Sequence, residues 1–349
     1  MSSAASSTIP SFPGAETDLA TGHVRDILTL AFEHTPAHEA LVVADGQCGL
    51  ARTLTEAYRR CLPDGVFIDF DAVTPETVLA AFGRLGADDL VVLIQSTNFR
   101  LEAFRIRVEL FKRGLKVIEH PHLIRMKEGE EVRRYIDALA YDPVYLRSTG
   151  TALKAHIDQA RGGVIDTGGA QLILGSPLEP AKLNVGDYRQ MKNVGGQFPI
   201  GEVFTESLDL EAVHGRVRIS HFGDTAYCVN TPARPITLIV EKGRVVDTLN
   251  STPEFDKVLE NIRADEGQIW LRELGFGLNR AFTQERTVTD IGTYERMCGI
   301  HLSLGSKHMS YDKPQIKRTE TKYHVDVFAL TDTFTLDDAI VYRDGAWQV

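Results

Sequence analysis

The chain has 349 residues, 38 of them Lys or Arg and 48 Asp or Glu, for a formal charge of −10. A net negative field repels phosphate backbones and anionic lipid, so nucleic acid and membrane surfaces are excluded as expected partners. Apolar residues make up 43% of the chain. That suffices for a sizeable core, and the length calls for two domains or one with a large extension.

The N-terminal MSSAASSTIPSFPGAETD has no basic start and no apolar run long enough for a signal peptide, so residues 1–38 are expected to be a mobile arm. No other segment approaches the ~18 continuous apolar residues of a membrane span. Cys48, Cys61, Cys228 and Cys298 are scattered, with no CxxC pair, as expected of reduced thiols in a cytoplasmic protein.

From residue 39 the pattern alternates. Leu41–Ala44 is a short apolar run that predicts a buried strand, and Leu50–Cys61 has helical spacing. Strands follow at Val66–Phe70, Leu90–Ile94 and Leu115–Glu119, and helices at Pro75–Leu85 and Leu101–Arg113. Strand and helix alternating at this spacing predict a Rossmann-like, doubly wound parallel sheet over residues 39–160. Beyond that point Gly and Thr rise and helices become rare apart from Pro253–Ala264. Val217–Ser220, Ile236–Val240 and Arg244–Thr248 predict strands of a mainly antiparallel α+β domain, residues 161–349, with a hairpin turn at EKG, 241–243.

ADGQCGL, 44–50, follows the first strand and opens a helix, where such a sheet binds ligands. Gly46 and Gly49 do not complete a G-x-G-x-x-G, and there is no GK[ST], so a plain turn is expected there. Cys48 has no obvious base or cation beside it and reads as structural. No G-x-S-x-G elbow occurs, which argues against a serine hydrolase. His120 and His122 flank a proline after a strand, and a solvated loop is the expectation.

The chemistry gathers between residues 195 and 326. In TKYHVDVF, 321–328, a strand places His324 and Asp326 on one face, with Tyr323, Val325 and Val327 on the other. An imidazole and a carboxylate on one face of an apolar strand suit a divalent metal, and equally suit a hydrogen-bonded pair facing water. In WLRELGFGLNR, 270–280, Glu273 stands among Trp270, Leu271, Leu274 and Phe276, where burial requires a compensating cation. Arg272 falls on the opposite face of a regular strand, so it is not the expected partner; the alternative puts Glu273 on an exposed edge. YERMCGIHLSLGSKH, 294–308, adds Glu295, His301 and His308 shortly before the His324–Asp326 pair. Glu202 opens a strand after the Gly/Pro loop of GGQFPIGEVFTES and means little alone.

In this order, PIGEVFTES, RELGFG, HLSLG and HVD resemble the motifs of the thermophilic-type metallo-aminopeptidase family, aminopeptidases T, S and II. The EKGRVVD hairpin and the ending IVYRDGAWQV are similar too, so the likeness covers about residues 190–349; over the N-terminal half only the α/β layout matches. The resemblance implies a homodimeric hydrolase acting on the N-terminal amide bond of a small peptide or aminoacyl substrate. It implies two divalent ions (zinc, cobalt or manganese) that share a bridging hydroxide. It carries over Glu202, Glu273, Glu295, His301, His324 and Asp326 as metal ligands, with Glu273 as the bridge and Glu202 also catalytic. Where the family has a tyrosine seven residues after its histidine, this chain has His308, which can donate a hydrogen bond to an oxyanion or bind metal.

Two other readings stay open. The C-terminal pattern also looks like that of dihydroxypyridine ring-cleaving dioxygenases, which hold one iron(II) with two histidines and an aspartate. His324 and Asp326 match two of those ligands, but Glu273 stands where the other histidine falls, and those enzymes lack the glutamate that matches Glu202. The third reading is a non-catalytic metal-binding or scaffold homologue.

Overall fold

The computed structural model describes residues 14–101 and 105–349, without the side chain of Arg318. The first thirteen residues of the expected arm, and residues 102–104 of the expected third helix, lie outside the described residues. The chain divides into two compact units, residues 1–143 with 186–200, and residues 144–185 with 201–349.

The first unit begins with a helix where the sequence predicts a mobile arm. Ala15–Asp26 forms helix α1, and Ile27–Ala31 continues it as a wider π-type turn. Thr17, Ala20, Thr21 and Val24, spaced three and four apart, turn one buried face inward, and Glu16 and Asp18 in the first turn and His23 and Arg25 in the last oppose the helix dipole. The stretch reads as an arm because that face is mostly Thr and Ala, which carry little hydrophobic signal.

Then come β1 (Ala40–Ala44), α2 (Gly49–Cys61), β2 (Val66–Asp69), α3 (Pro75–Arg84), β3 (Leu90–Ile94), α4 (Ile106–Lys112) and β4 (Lys116–His120). The strands pair in parallel in the order β2-β1-β3-β4, as the alternation predicts, and β1 and β3 are buried throughout. Leu41, Val43, Val91, Leu93 and Val117 from the sheet share one core with Val78, Phe82 and Leu110 from α3 and α4. Two helices went unread in the sequence, α5 (Glu130–Ala138) and α6 (Pro143–Gln159).

The turn between β1 and α2 lies at the carboxyl end of the parallel sheet. Gly49 N, at the start of α2, donates to Glu128 Oε1 at 3.3 Å, so a side-chain carboxylate takes the place an anion would occupy. Burial pushes the Cys48 thiol up, as befits a structural residue. His120 is not in a solvated loop: it is fully buried, with Nε2 2.8 Å from the Tyr58 hydroxyl and Nδ1 2.9 Å from the Tyr135 hydroxyl. Burial holds its pKa down at about 3.

The second unit takes α6, β5 (Gly163–Asp166), β6 (Gln171–Leu174) and β7 (Lys182–Asn184). The chain then returns to the first unit, where β8 (Gly195–Gln197) adds a parallel edge strand beside β4 and completes a five-stranded sheet. So there is no single boundary near residue 160. The second unit resumes with β9 (Glu202–Glu206), β10 (Val213–Gly223), β11 (Val229–Asn230), β12 (Ile236–Glu241), β13 (Arg244–Leu249), α7 (Pro253–Glu266), β14 (Leu271–Gly277), α8 (Ile291–Tyr294), β15 (Gly299–Leu304), β16 (Val325–Ala329), β17 (Thr333–Leu336), β18 (Ala339–Arg343) and β19 (Ala346–Trp347).

These strands form a 14-stranded sheet whose path runs β19-β18-β17-β5-β6-β10-β16-β15-β14-β9-β7. The pairings along it are antiparallel. The EKG turn joins β12 to β13, with Lys242 at φ 49° and Gly243 at φ 71°, the left-handed pair that matches hairpin twist. α7 starts where its sequence says, with the Thr252 side chain accepting from Phe255 N and Pro253 in the first turn. Among the described residues no helix is long and apolar enough to cross a membrane.

Candidate metal centre

Four neighbouring strands supply the site. β9 pairs with β14 so that Glu202 lies opposite Gly277 and Glu206 opposite Glu273. β14 pairs with β15 so that Gly275 lies opposite His301, and β15 pairs with β16 so that Ser303 lies opposite Asp326. Alternation then puts Glu202, Phe204 and Glu206 on one face of β9 and His301 and Ser303 on one face of β15.

The sequence-predicted residues converge. Among the described residues, Glu202, Glu273 and His301 bring three ligand atoms within 4.8 Å of one another. Glu202 Oε1 is 3.4 Å and Glu273 Oε1 3.6 Å from His301 Nε2. His324 Nε2 lies 3.2 Å from Asp326 Oδ1 and 3.9 Å from Glu273 Oε2. His308 Nε2 is 3.0 Å from Glu273 Oε2. Glu295 reaches the cluster through Arg296, whose Nη1 contacts both Glu295 Oε1 and, at 2.9 Å, Glu202 Oε2. β16 begins at Val325, so His324 sits at the strand's entrance, yet it shares a side with Asp326 as the spacing predicts.

Three residues of the cluster were not read from the sequence. Glu206 and Arg272 are buried and paired with each other, and Arg296 is buried at 6% exposure. Glu206 was legible, since it repeats the Glu202 face four residues on. Arg272 was not. The register of β14 against β15 shifts between Leu271 and Leu274, so an extra residue bulges there and strict alternation fails. Arg272 therefore enters the cluster; its partner is Glu206, and it also donates to the Tyr311 carbonyl at 3.2 Å. Glu273 is buried at 7% exposure rather than on an open edge.

The electrostatics follow from this crowding. Burial alone would raise the Glu273 carboxyl, but His301 and His308 facing it and the charge of His324 hold it well below the carboxylate range. For His301, burial works against the imidazolium, and Glu202 and Glu273 override it, pushing the pKa well above its usual value. His324 is likewise raised to about 10, against burial, by Asp326. Burial, with Glu202 and Asp326 nearby, pushes Glu295 up to about 8 against the pull of Arg296.

The donors fit a divalent cation. His301 Nε2 and Asp326 Oδ1 are buried with no well-formed hydrogen bond, a costly state unless something else satisfies them. Ligands ~2.1 Å from a tetrahedral ion stand about 3.4 Å apart, which matches the Glu202–His301 and Glu273–His301 separations. His324 Nδ1 lies 2.9 Å from the Lys307 carbonyl, which only an N–H can satisfy, so Nε2 is the nitrogen turned toward the cluster. Carboxylate and imidazole donors suit zinc, cobalt or manganese.

No family model matches the sequence, and no curated protein does. Among solved structures, the fold is similar to that of AmpT from Thermus thermophilus, aminopeptidase T, at 15% identity with a TM-score of 0.56, over 96% of this chain and 100% of that one. The likeness is one of fold: a mixed α/β chain with a five-stranded parallel sheet and a large antiparallel sheet, consistent with the architecture of the aminopeptidase family that the C-terminal motifs resemble.

Proposed function

We propose that the chain is a metal-dependent hydrolase of the aminopeptidase kind, cleaving the N-terminal amide bond of a peptide or aminoacyl substrate. The observation that carries this reading is the meeting of Glu202, Glu273 and His301, from three adjacent strands, in a fold similar to that of an aminopeptidase. A bound divalent ion supplies Lewis acidity at the scissile carbonyl and makes water more acidic. The chain's own residues do the rest. Glu202, Glu273 and His301 would hold such an ion, with His324 and Asp326 close to them. The Glu202 carboxylate is the group beside the attacking water that would take its proton. His308 works against its burial to keep a proton, with Glu206 on its Nδ1 side at 3.6 Å and Glu273 on its Nε2 side. It places positive charge and an N–H donor where the oxyanion develops.

His324 and Asp326 are common to this reading and to the iron-dependent oxygenase. What favours the hydrolase is that two glutamates, rather than a second histidine, complete the group around His301. The test is a panel of aminoacyl-nitroanilides and dipeptides, run on protein loaded with zinc, cobalt or manganese. Turnover is expected on at least one member and is lost by about 1,000-fold or more in Glu273→Gln. No cleavage of any member by folded, metal-loaded protein rejects the substrate class, and iron-dependent oxygen uptake with a hydroxypyridine turns the assignment to the oxygenase.

A further inference from the structure

The two glutamates of the central group are arranged alike. Each turns Oε1 toward His301 Nε2, Glu202 at 3.4 Å and Glu273 at 3.6 Å. Each gives Oε2 to a nitrogen of the chain itself: Arg296 Nη1 stands 2.9 Å from Glu202 Oε2, and His308 Nε2 stands 3.0 Å from Glu273 Oε2. The same Nη1 also contacts Glu295 Oε1, so the point where an ion would join Glu202 to Glu295 is filled by a guanidinium nitrogen. Arg296 is held there by its backbone. Its carbonyl accepts from Asn279 N at 3.0 Å, just past the end of β14, and its own N–H reaches back to Thr293 O at 3.4 Å. Two residues before Asn279, Gly277 lies opposite Glu202, which places the Arg296 segment beside that carboxylate.

We infer that Arg296 is a built-in second cation, so that the chain takes one divalent ion, between Glu202 Oε1, Glu273 Oε1 and His301 Nε2, in place of the two that the family resemblance implies. A guanidinium is always charged and cannot leave its carboxylates without stranding them. A second divalent ion would have to displace it, or His308, from oxygens already engaged. Glu295 thereby changes role: it is a hydrogen-bond partner of Arg296 and not a metal ligand. This inference rests on the metal-centre reading proposed above, and its test separates the two.

The experiment is metal counting on the full chain with Mn2+, by elemental analysis and native mass spectrometry, with electron paramagnetic resonance of the bound ion. The wild type is expected to hold about one ion, with the six-line signal of an isolated Mn2+. Arg296→Met, which keeps length and removes charge and donors, is expected to take up a second ion, with a spin-coupled signal. Glu295→Gln is expected to keep one ion with affinity within about threefold, since loss of a true ligand or its supporting contact costs 10–100-fold or more. Two ions or a coupled signal in the wild type overturns the inference and leaves the hydrolase reading standing. A folded Arg296→Met that still holds one ion, or a tenfold loss in Glu295→Gln, also overturns it. No Mn2+, Zn2+ or Co2+ bound by the wild type overturns this inference and the metal-centre reading together. If Arg296→Met does not fold, the wild-type count and the Glu295→Gln affinity decide.

Discussion

At Gly275 the absence of a side chain makes the room in which the His301 imidazole lies, since a Cβ added there would overlap the ring at Nε2, Cε1 and Cδ2. Gly275→Ala must therefore move the imidazole off the ligand group. The expected result is a 10-fold or larger loss of metal affinity, measured by titration, with an overpacking cost of about 1–3 kcal/mol in chemical denaturation. His120 makes a prediction of a different kind, in the first unit. Its pKa is held at about 3 in the fold, against about 6.5 in the unfolded chain. The unfolded state thus binds the extra proton first. The stability from neutral His120 is complete above pH 6.5 and is lost as pH falls toward 3, at up to about 1.4 kcal/mol per unit. Between pH 6.5 and 4.5, wild-type stability is expected to fall by about 2–3 kcal/mol more than that of His120→Gln, and equal slopes in urea unfolding would remove the cause.

The pairing of β9 with β14 is the element that assembles the site, and the bulge of β14 against β15 is what brings both Arg272 and Glu273 into one cluster. Arg272 compensates buried Glu206 and also donates to carbonyls of the segment that carries His308, at Ser306 and Tyr311. Arg272→Met leaves buried Glu206 with only His308 to compensate it, so a loss of about 3 kcal/mol is expected. Arg272→Met with Glu206→Leu removes both charges and is expected to recover much of it, a coupling that a double-mutant cycle measures directly. Sequence reasoning at this scale succeeded where one period ran unbroken. β1, β3 and α2 follow their apolar spacing, and the Lys242–Gly243 turn follows turn chemistry. It failed at α1, whose buried face is mostly Thr and Ala, and at Arg272, because a bulge changes which face a residue takes without changing the sequence.

Over the whole chain, the ligands come from β9, β14 and β15, with β16 alongside, so a bound ion ties four strands of the second unit. At 100 times its dissociation constant an ion binding only the folded state adds about 2.7 kcal/mol. Loading with divalent metal is therefore expected to slow amide hydrogen exchange in these strands, and a chelator to reverse it, while the parallel strands β1 to β4 of the first unit keep their rates. Uniform slowing across both sheets, or none, would place the ion elsewhere or deny it.

By itself the sequence determined the alternation of the first sheet, the EKG hairpin, and the candidates Glu202, Glu273, His301, His308, His324 and Asp326, because period and motif are local properties of a chain. Only the tertiary structure decided what surrounds them: that Glu128 closes the helix end where a ligand would sit, that His120 is buried between two tyrosines, and that Arg296 lies across Glu202 and Glu295. Those contacts join residues far apart in sequence or turn on a loop's path. Whether a buried charge meets a partner is set by distances that no periodicity encodes.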